Sequence, residues 1–149
     1  MNRFDKNAIR FQYPTDWSLV EEEWDEEISA LTFEDGDGIY MIDIYHSKVG
    51  PDIQDYAKRH YQCFVQELPL FSKVVSGPSY TNVNEHGVSG LVLEYIIKTS
   101  LIFKAKYVNP IYRLQGSNCV SFISGQYSKA DSVRSGDSLN QVIGSFSAC

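Results

Sequence analysis

The chain has 149 residues, with 13 basic and 19 acidic side chains and a formal net charge of −6. Apolar residues at 43% and charged residues at 21% describe a chain able to bury a core and exclude a disordered segment. The acidic balance excludes non-specific binding to nucleic acid, because a phosphate backbone would be repelled rather than neutralised.

The length suits one domain over 1–149. No apolar run approaches the ~18 residues of a membrane span. The polar terminus Met1–Lys6 lacks the apolar stretch of a signal peptide. Cys63, Cys119 and Cys149 are odd in number and irregularly spaced, which fits reduced thiols. A cytoplasmic location is expected on these grounds.

In chain order, Ala8–Tyr13 alternates with period two and predicts a half-buried strand closed by Pro14. A short strand, Ser18–Val20, runs into the acidic segment Glu21–Glu27. Ile28–Phe33 and Ile39–His46 read as a hairpin around Glu34-Asp35-Gly36-Asp37-Gly38. The period then changes: Ile53, Tyr56, Ala57, His60, Phe64 and Leu68 recur on one helical face, with Asp52 as N-cap and Pro69 as the stop.

Strand-like runs follow at Ser72–Val75, Ser79–Val83, Gly90–Lys98, Leu101–Val108, Ile111–Leu114 and Cys119–Ser124, joined by short Gly-, Asn-, Pro- or Ser-bearing connections. Leu91, Leu93, Tyr95 and Ile97 share one face, as do Leu101, Phe103, Ala105 and Tyr107. Glu94, Lys104, Lys106 and Arg113 fall on the opposite, wetter face. A last helix is predicted from about Asp137 to Ser147, capped by Ser138 with Gln141 and striped by Leu139, Val142, Ile143 and Phe146. The predicted fold class is α+β: a predominantly antiparallel sheet packed by two main helices.

Motifs that carry chemistry are weak. Gly136-Asp137-Ser138-Leu139 spells the signature of GDSL hydrolases, but no Asp-x-x-His follows, and a serine without a positioned base is a poor nucleophile. Asp35-Gly36-Asp37-Gly38 resembles the start of a calcium loop, yet the twelfth position is His46 instead of Glu. His60 and Cys63 sit three apart, too few for zinc, and are expected to pack between helix and sheet. No catalytic residue, metal ligand or cofactor site is assigned.

The acidic run is the most unusual local feature, holding six of the nineteen acids around Trp24. Such dense like charge should stay in solvent. Glu22, Glu23, Trp24, Asp25 and Glu26 are the candidate partner-binding residues: the carboxylates would steer a basic partner and the indole would anchor it. The wet sheet face is a second candidate, and a second copy of the chain would be able to bury it as a homodimer.

Phe11-x-Tyr13-Pro14-x-x-Trp17, Asp55-Tyr56-Ala57 on a helix ending Leu68-Pro69-x-Phe71, His86-Gly87 before Leu91-Val92-Leu93-Glu94-Tyr95, and the closing Val142-Ile143-x-Ser145-Phe146 occur in an order that resembles the PsbP-like superfamily of α/β/α sandwiches. Within it the chain looks most like small bacterial Eag-type chaperones of type VI secretion effectors. The resemblance implies a non-enzymatic scaffold that holds a protein, as an adaptor or a chaperone for a secreted effector. Immunity to a co-encoded toxin and small-ligand binding are the other readings.

Overall fold

β-branched and aromatic residues alternate with polar ones along most of the chain, and these stretches become strands. The computed structural model describes residues 1–149. Its elements are β1 (Asn2–Lys6), β2 (Ile9–Tyr13), β3 (Ser18–Glu23), β4 (Ile28–Glu34), β5 (Gly38–Tyr45), α1 (Ile53–Gln66), β6 (Lys73–Glu85), β7 (Val88–Lys98), β8 (Lys104–Gln115), β9 (Val120–Ser128) and α2 (Ser132–Ser145). A seven-stranded sheet takes the order β3-β4-β5-β9-β8-β7-β6, with every pairing antiparallel. β1 and β2 form a separate two-stranded hairpin. The fold is α+β, as its sequence predicts.

Period two divides the side chains of each strand between two layers. Leu31, Phe33, Tyr40, Ile42, Ile44, Tyr112 and Ile123 face α2 and the β1–β2 hairpin in the larger core cluster, joined by Leu139, Val142 and Ile143 of α2. Leu91, Leu93, Tyr95, Ile97, Ile111 and Phe122 point the other way, onto Tyr56 and Ala57 of α1. The C-terminal end of α2 is tied to β2 by Arg10 N–H to Ser147 O and the reciprocal bond, both 2.8 Å. Gln12 N–H also donates to Ser145 Oγ at 2.8 Å.

The structure corrects several expectations. The amino terminus is itself a strand, because β1 pairs with β2. Ser72–Val75 and Ser79–Val83 are one strand, β6, made continuous by register shifts around Gly77-Pro78, whose peptide is cis. Gly77 has φ +87°, and a Cβ there would lie 2.7 Å from Glu94 O, so the bulge needs a glycine.

β8 starts only at Lys104, which leaves Leu101–Phe103 in an exposed hairpin tip instead of on a buried strand face. α2 begins at Ser132, so Ser138 lies inside the helix and cannot cap it. Arg113 is on the α1 side, where its Nε–H donates to Pro51 O at 3.1 Å, and not on the wetter face. Both sheet faces carry a helix, and Glu94, Lys104 and Lys106 lie, as expected, on a wetter area, which reaches inward as far as β8.

Cys119 and Cys149 form a disulfide, overturning the expectation of three reduced thiols. The return of the chain end beside β9 brings them together, a proximity that a 30-residue separation conceals. Cys63 is a thiol, and it is exposed instead of packed.

Candidate functional site

β3 is an edge strand, and all six of its residues are exposed. Its acidic part does not float as a loop: Glu21, Glu22 and Glu23 are in register with Thr32, Leu31 and Ala30 of β4. Alternation sends Glu22 to one face and Glu21 and Glu23 to the other.

The five predicted partner-binding residues therefore separate. Glu22 accepts from Lys6 Nζ and from Trp24 Nε1. The hydrogen bond from Lys6, reinforced by that of Trp24, holds its carboxyl below the usual carboxylate range. Trp24 is half-buried, stacks on Phe4 with centroids 6.3 Å apart, and carries Lys6 Nζ 5.5 Å from its ring. Glu22 and Trp24 thus close the β1–β2 hairpin onto the sheet edge. Glu23 points to the opposite face, and Asp25 and Glu26 project from the exposed turn.

Trp24, Asp25 and Glu26 line an open hollow of about 430 Å³ with Asn7, Ser29 and His46. In it Ser29 Oγ lies 2.8 Å from His46 Nε2, a pairing no sequence spacing announced. Ser29 is 1% exposed and its hydroxyl also donates to Asp25 O, while Asp25 Oδ1 accepts from Glu27 N–H. Such a buried hydroxyl braces the turn and is poorly placed to attack a substrate.

Glu21 and Glu23 border a part of the sheet that α1 does not reach. α1 packs on β7, β8 and β9, with Tyr56 stacked on Phe122 at 3.9 Å and Phe64 on Tyr95 at 5.3 Å. It contacts β5 where Tyr56 Oη donates to Asp43 Oδ2 at 2.5 Å. Beyond that point Ile28, Ala30 and Thr32 of β4 lie beside Ile39 and Met41 of β5, partly or fully exposed. Glu34 closes the far end. The result is an apolar strip with a carboxylate rim: Glu21 and Glu23 on the outer strand, Glu34 at the turn. Alternation in β4 and β5 is readable in the sequence, but which half of the face the helix leaves bare is not.

Two titratable groups lie under α1. Burial raises the Asp43 carboxyl above its ordinary value, opposed by the hydrogen bond from Tyr56. Burial lowers the His60 imidazole to about 4. At the β4–β5 turn the strip opens into a groove of about 400 Å³, lined by its own Glu34 and Ile39 and, from the end of α1 and the sheet beyond, by Phe64, Leu68, Ile97 and Tyr107.

The catalytic and calcium motifs take structural roles. Gly136–Leu139 is the middle of α2. Asp35 Oδ1 accepts from Asp37 N–H and Gly38 N–H, and its Oδ2 from Tyr40 Oη, so the turn itself consumes that carboxylate. Arg134 pairs with Asp37 at 2.7 Å.

Comparison with solved structures places the architecture. The chain superposes on the solution structure of cyanobacterial PsbP (CyanoP) from Synechocystis sp. PCC 6803 with TM-score 0.58 and 12% identity, over 99% of this chain and 92% of that one. A crystal structure from Bacteroides thetaiotaomicron matches with TM-score 0.55 and 16% identity, over 95% of this chain but 45% of the other. No family model matches the chain, and no curated protein does. At these identities the likeness is one of fold: the chain is similar in architecture to PsbP.

Proposed function

We propose that this domain is a non-catalytic protein-binding module, and that its binding surface is the bare strip of β3–β5 with its acidic rim. The observation that carries this reading is the pairing of a mainly apolar floor, with Ile28 and Ile39 exposed and Ala30, Thr32 and Met41 partly so, with three carboxylates, Glu21, Glu23 and Glu34, on its border. A basic, amphipathic segment of a partner protein complements both features: apolar side chains cover the strip while Lys or Arg meets the rim. Unpaired backbone groups along the outer side of β3 would add hydrogen bonds to a segment that docks as a strand. Glu23, Asp25 and Glu26 extend the same field along the edge.

An adaptor, or a chaperone for a secreted effector, would use such a surface, and so would an immunity protein that covers a basic toxin site. The disulfide favours an oxidising compartment over the cytoplasm, since paired cysteines are rare where thiols are kept reduced.

The test is a backbone NMR titration with a Lys-rich amphipathic peptide. Shifts should concentrate on β3, β4 and the start of β5, and Glu21→Gln with Glu23→Gln should weaken binding on the order of tenfold and flatten its salt dependence. Shifts confined to Phe64, Leu68, Ile97 and Tyr107, or binding indifferent to these substitutions, would overturn the assignment. Concentration-dependent shifts of the same residues without peptide would assign the strip to a second copy of the chain.

A further inference from the structure

Across the groove from the β4–β5 turn, two neighbouring loops expose large apolar side chains. The loop between α1 and β6 holds Leu70, 91% exposed, and Phe71, 84% exposed. The β7–β8 hairpin holds Leu101 and Ile102, each 92% exposed, and Phe103, 66% exposed. The two loops leave the sheet side by side, because Lys73 at the start of β6 pairs with Lys98 at the end of β7. Each is closed by its own hydrogen bonds, Ser72 N–H to Pro69 O in one and Thr99 N–H to Phe103 O in the other. The turns are therefore built, and they hold their apolar side chains outward.

Behind these tips runs a row of cations. Lys98 pairs with Lys73 on one side and with Lys104 on the other, so three lysines lie directly opposite one another on three adjacent strands. Like charges in that relation destabilise a sheet. None of the three has an ion pair, whereas Lys106 and Lys129 nearby both pair with Glu94. In a chain of net charge −6, an unpaired basic row directly behind a cluster of exposed apolar residues matches an anionic partner that is also apolar inside.

We infer that this end of the domain is a membrane-docking tip, in which Leu70, Phe71, Leu101, Ile102 and Phe103 enter the interface of a bilayer and Lys73, Lys98 and Lys104 meet anionic lipid headgroups. The geometry fits a lipid surface. The lysines stand at the strand ends, Lys73 two residues from Phe71, Lys98 three from Leu101 and Lys104 two from Ile102, so they lie behind the turn tips. Apolar groups of interfacial segments reach about 5–10 Å into the headgroup and acyl boundary, which leaves the cations at phosphate level. The apolar groups project from convex loop ends and do not line a cleft, as insertion requires. Glu67, before Leu68, is the one carboxylate in the two loops, and Glu34 and Asp37 stand across the groove that Ser72 and Thr99 border.

The full chain should be tested by cosedimentation with vesicles of phosphatidylcholine alone and of phosphatidylcholine with about one-third phosphatidylglycerol. Binding is expected to the anionic vesicles and to fall with salt. Phe71→Ser with Leu101→Ser and Ile102→Ser should lose at least tenfold in partitioning, and so should Lys73→Gln with Lys98→Gln and Lys104→Gln. These side chains are outside both core clusters, so cooperative unfolding transitions at or above the wild-type midpoint will show that the variants are folded. Failure of the wild-type chain to bind anionic vesicles overturns the inference, as does binding that survives both sets of substitutions. A dimer in sedimentation equilibrium that the apolar substitutions dissociate, with no vesicle binding, would assign the tips to self-association instead.

Discussion

Tyr56 Oη, on α1, donates to Asp43 Oδ2, on β5, at 2.5 Å, and thereby joins the helix to a carboxylate that burial holds above its ordinary pKa. The same tyrosine ring lies flat on Phe122, with centroids 3.9 Å apart. One side chain thus serves the packing of α1 and the only polar bond it makes to β5.

Tyr56→Phe separates these roles. Phenylalanine keeps the stack and removes the donor, leaving Asp43 buried without its partner. A loss of about 1–3 kcal/mol is expected in urea unfolding near neutral pH. Because the raised Asp43 value lets the unfolded chain lose its proton first, this carboxyl weakens the fold as pH climbs from 3.8 through its higher folded value. An unchanged midpoint in the variant would show that the hydrogen bond contributes nothing net.

His60 acts with the opposite sign. Its folded value of about 4 lies below the unfolded 6.5, so the unfolded chain binds the extra proton in between. The contribution of the neutral imidazole is complete above pH 6.5 and drains away as pH falls toward 4, on the order of 1–3 kcal/mol. His60→Gln should flatten that part of the stability profile, measured by thermal unfolding at a series of pH values. An identical profile in wild type and variant would place the acid sensitivity elsewhere.

Cys119–Cys149 closes a 30-residue loop that contains β9 and all of α2. Reduction should cost about 3–4 kcal/mol by relaxing the constraint on the unfolded chain. Alkylation of the unfolded, unreduced protein should label Cys63 alone. Three labelled cysteines would show that the bridge does not form under native conditions, and would remove the support for an oxidising compartment.

Local signals were legible where a single element decides the outcome. Asp52 is the N-cap expected, its side chain accepting from Asp55 N–H at 2.8 Å, and the apolar face of α1 is the one its spacing predicts. The β4–β5 hairpin and the alternation of β7 follow from period two and from turn chemistry in the same way. Leu101–Phe103 shows the limit: its residues fit a buried strand, yet the pairing of Lys98 with Lys104 places them in the connecting turn.

The candidate surfaces divide along the same line. Composition and periodicity by themselves determined an acidic α+β domain with two helices and a dominant antiparallel sheet, because those properties rest on neighbours within a few residues. Tertiary structure alone decided that Glu22 and Trp24 turn inward to Lys6 and Phe4 while Glu23 turns outward, that α1 leaves β3 and β4 bare, and that Cys119 meets Cys149. It also decided that Lys73, Lys98 and Lys104 stand in one row behind five exposed apolar side chains. Those outcomes depend on the order β3-β4-β5-β9-β8-β7-β6, in which distant segments become neighbours, and on register, since a one-residue slip would send strand residues such as Glu22, Glu23 and Lys98 to the other face.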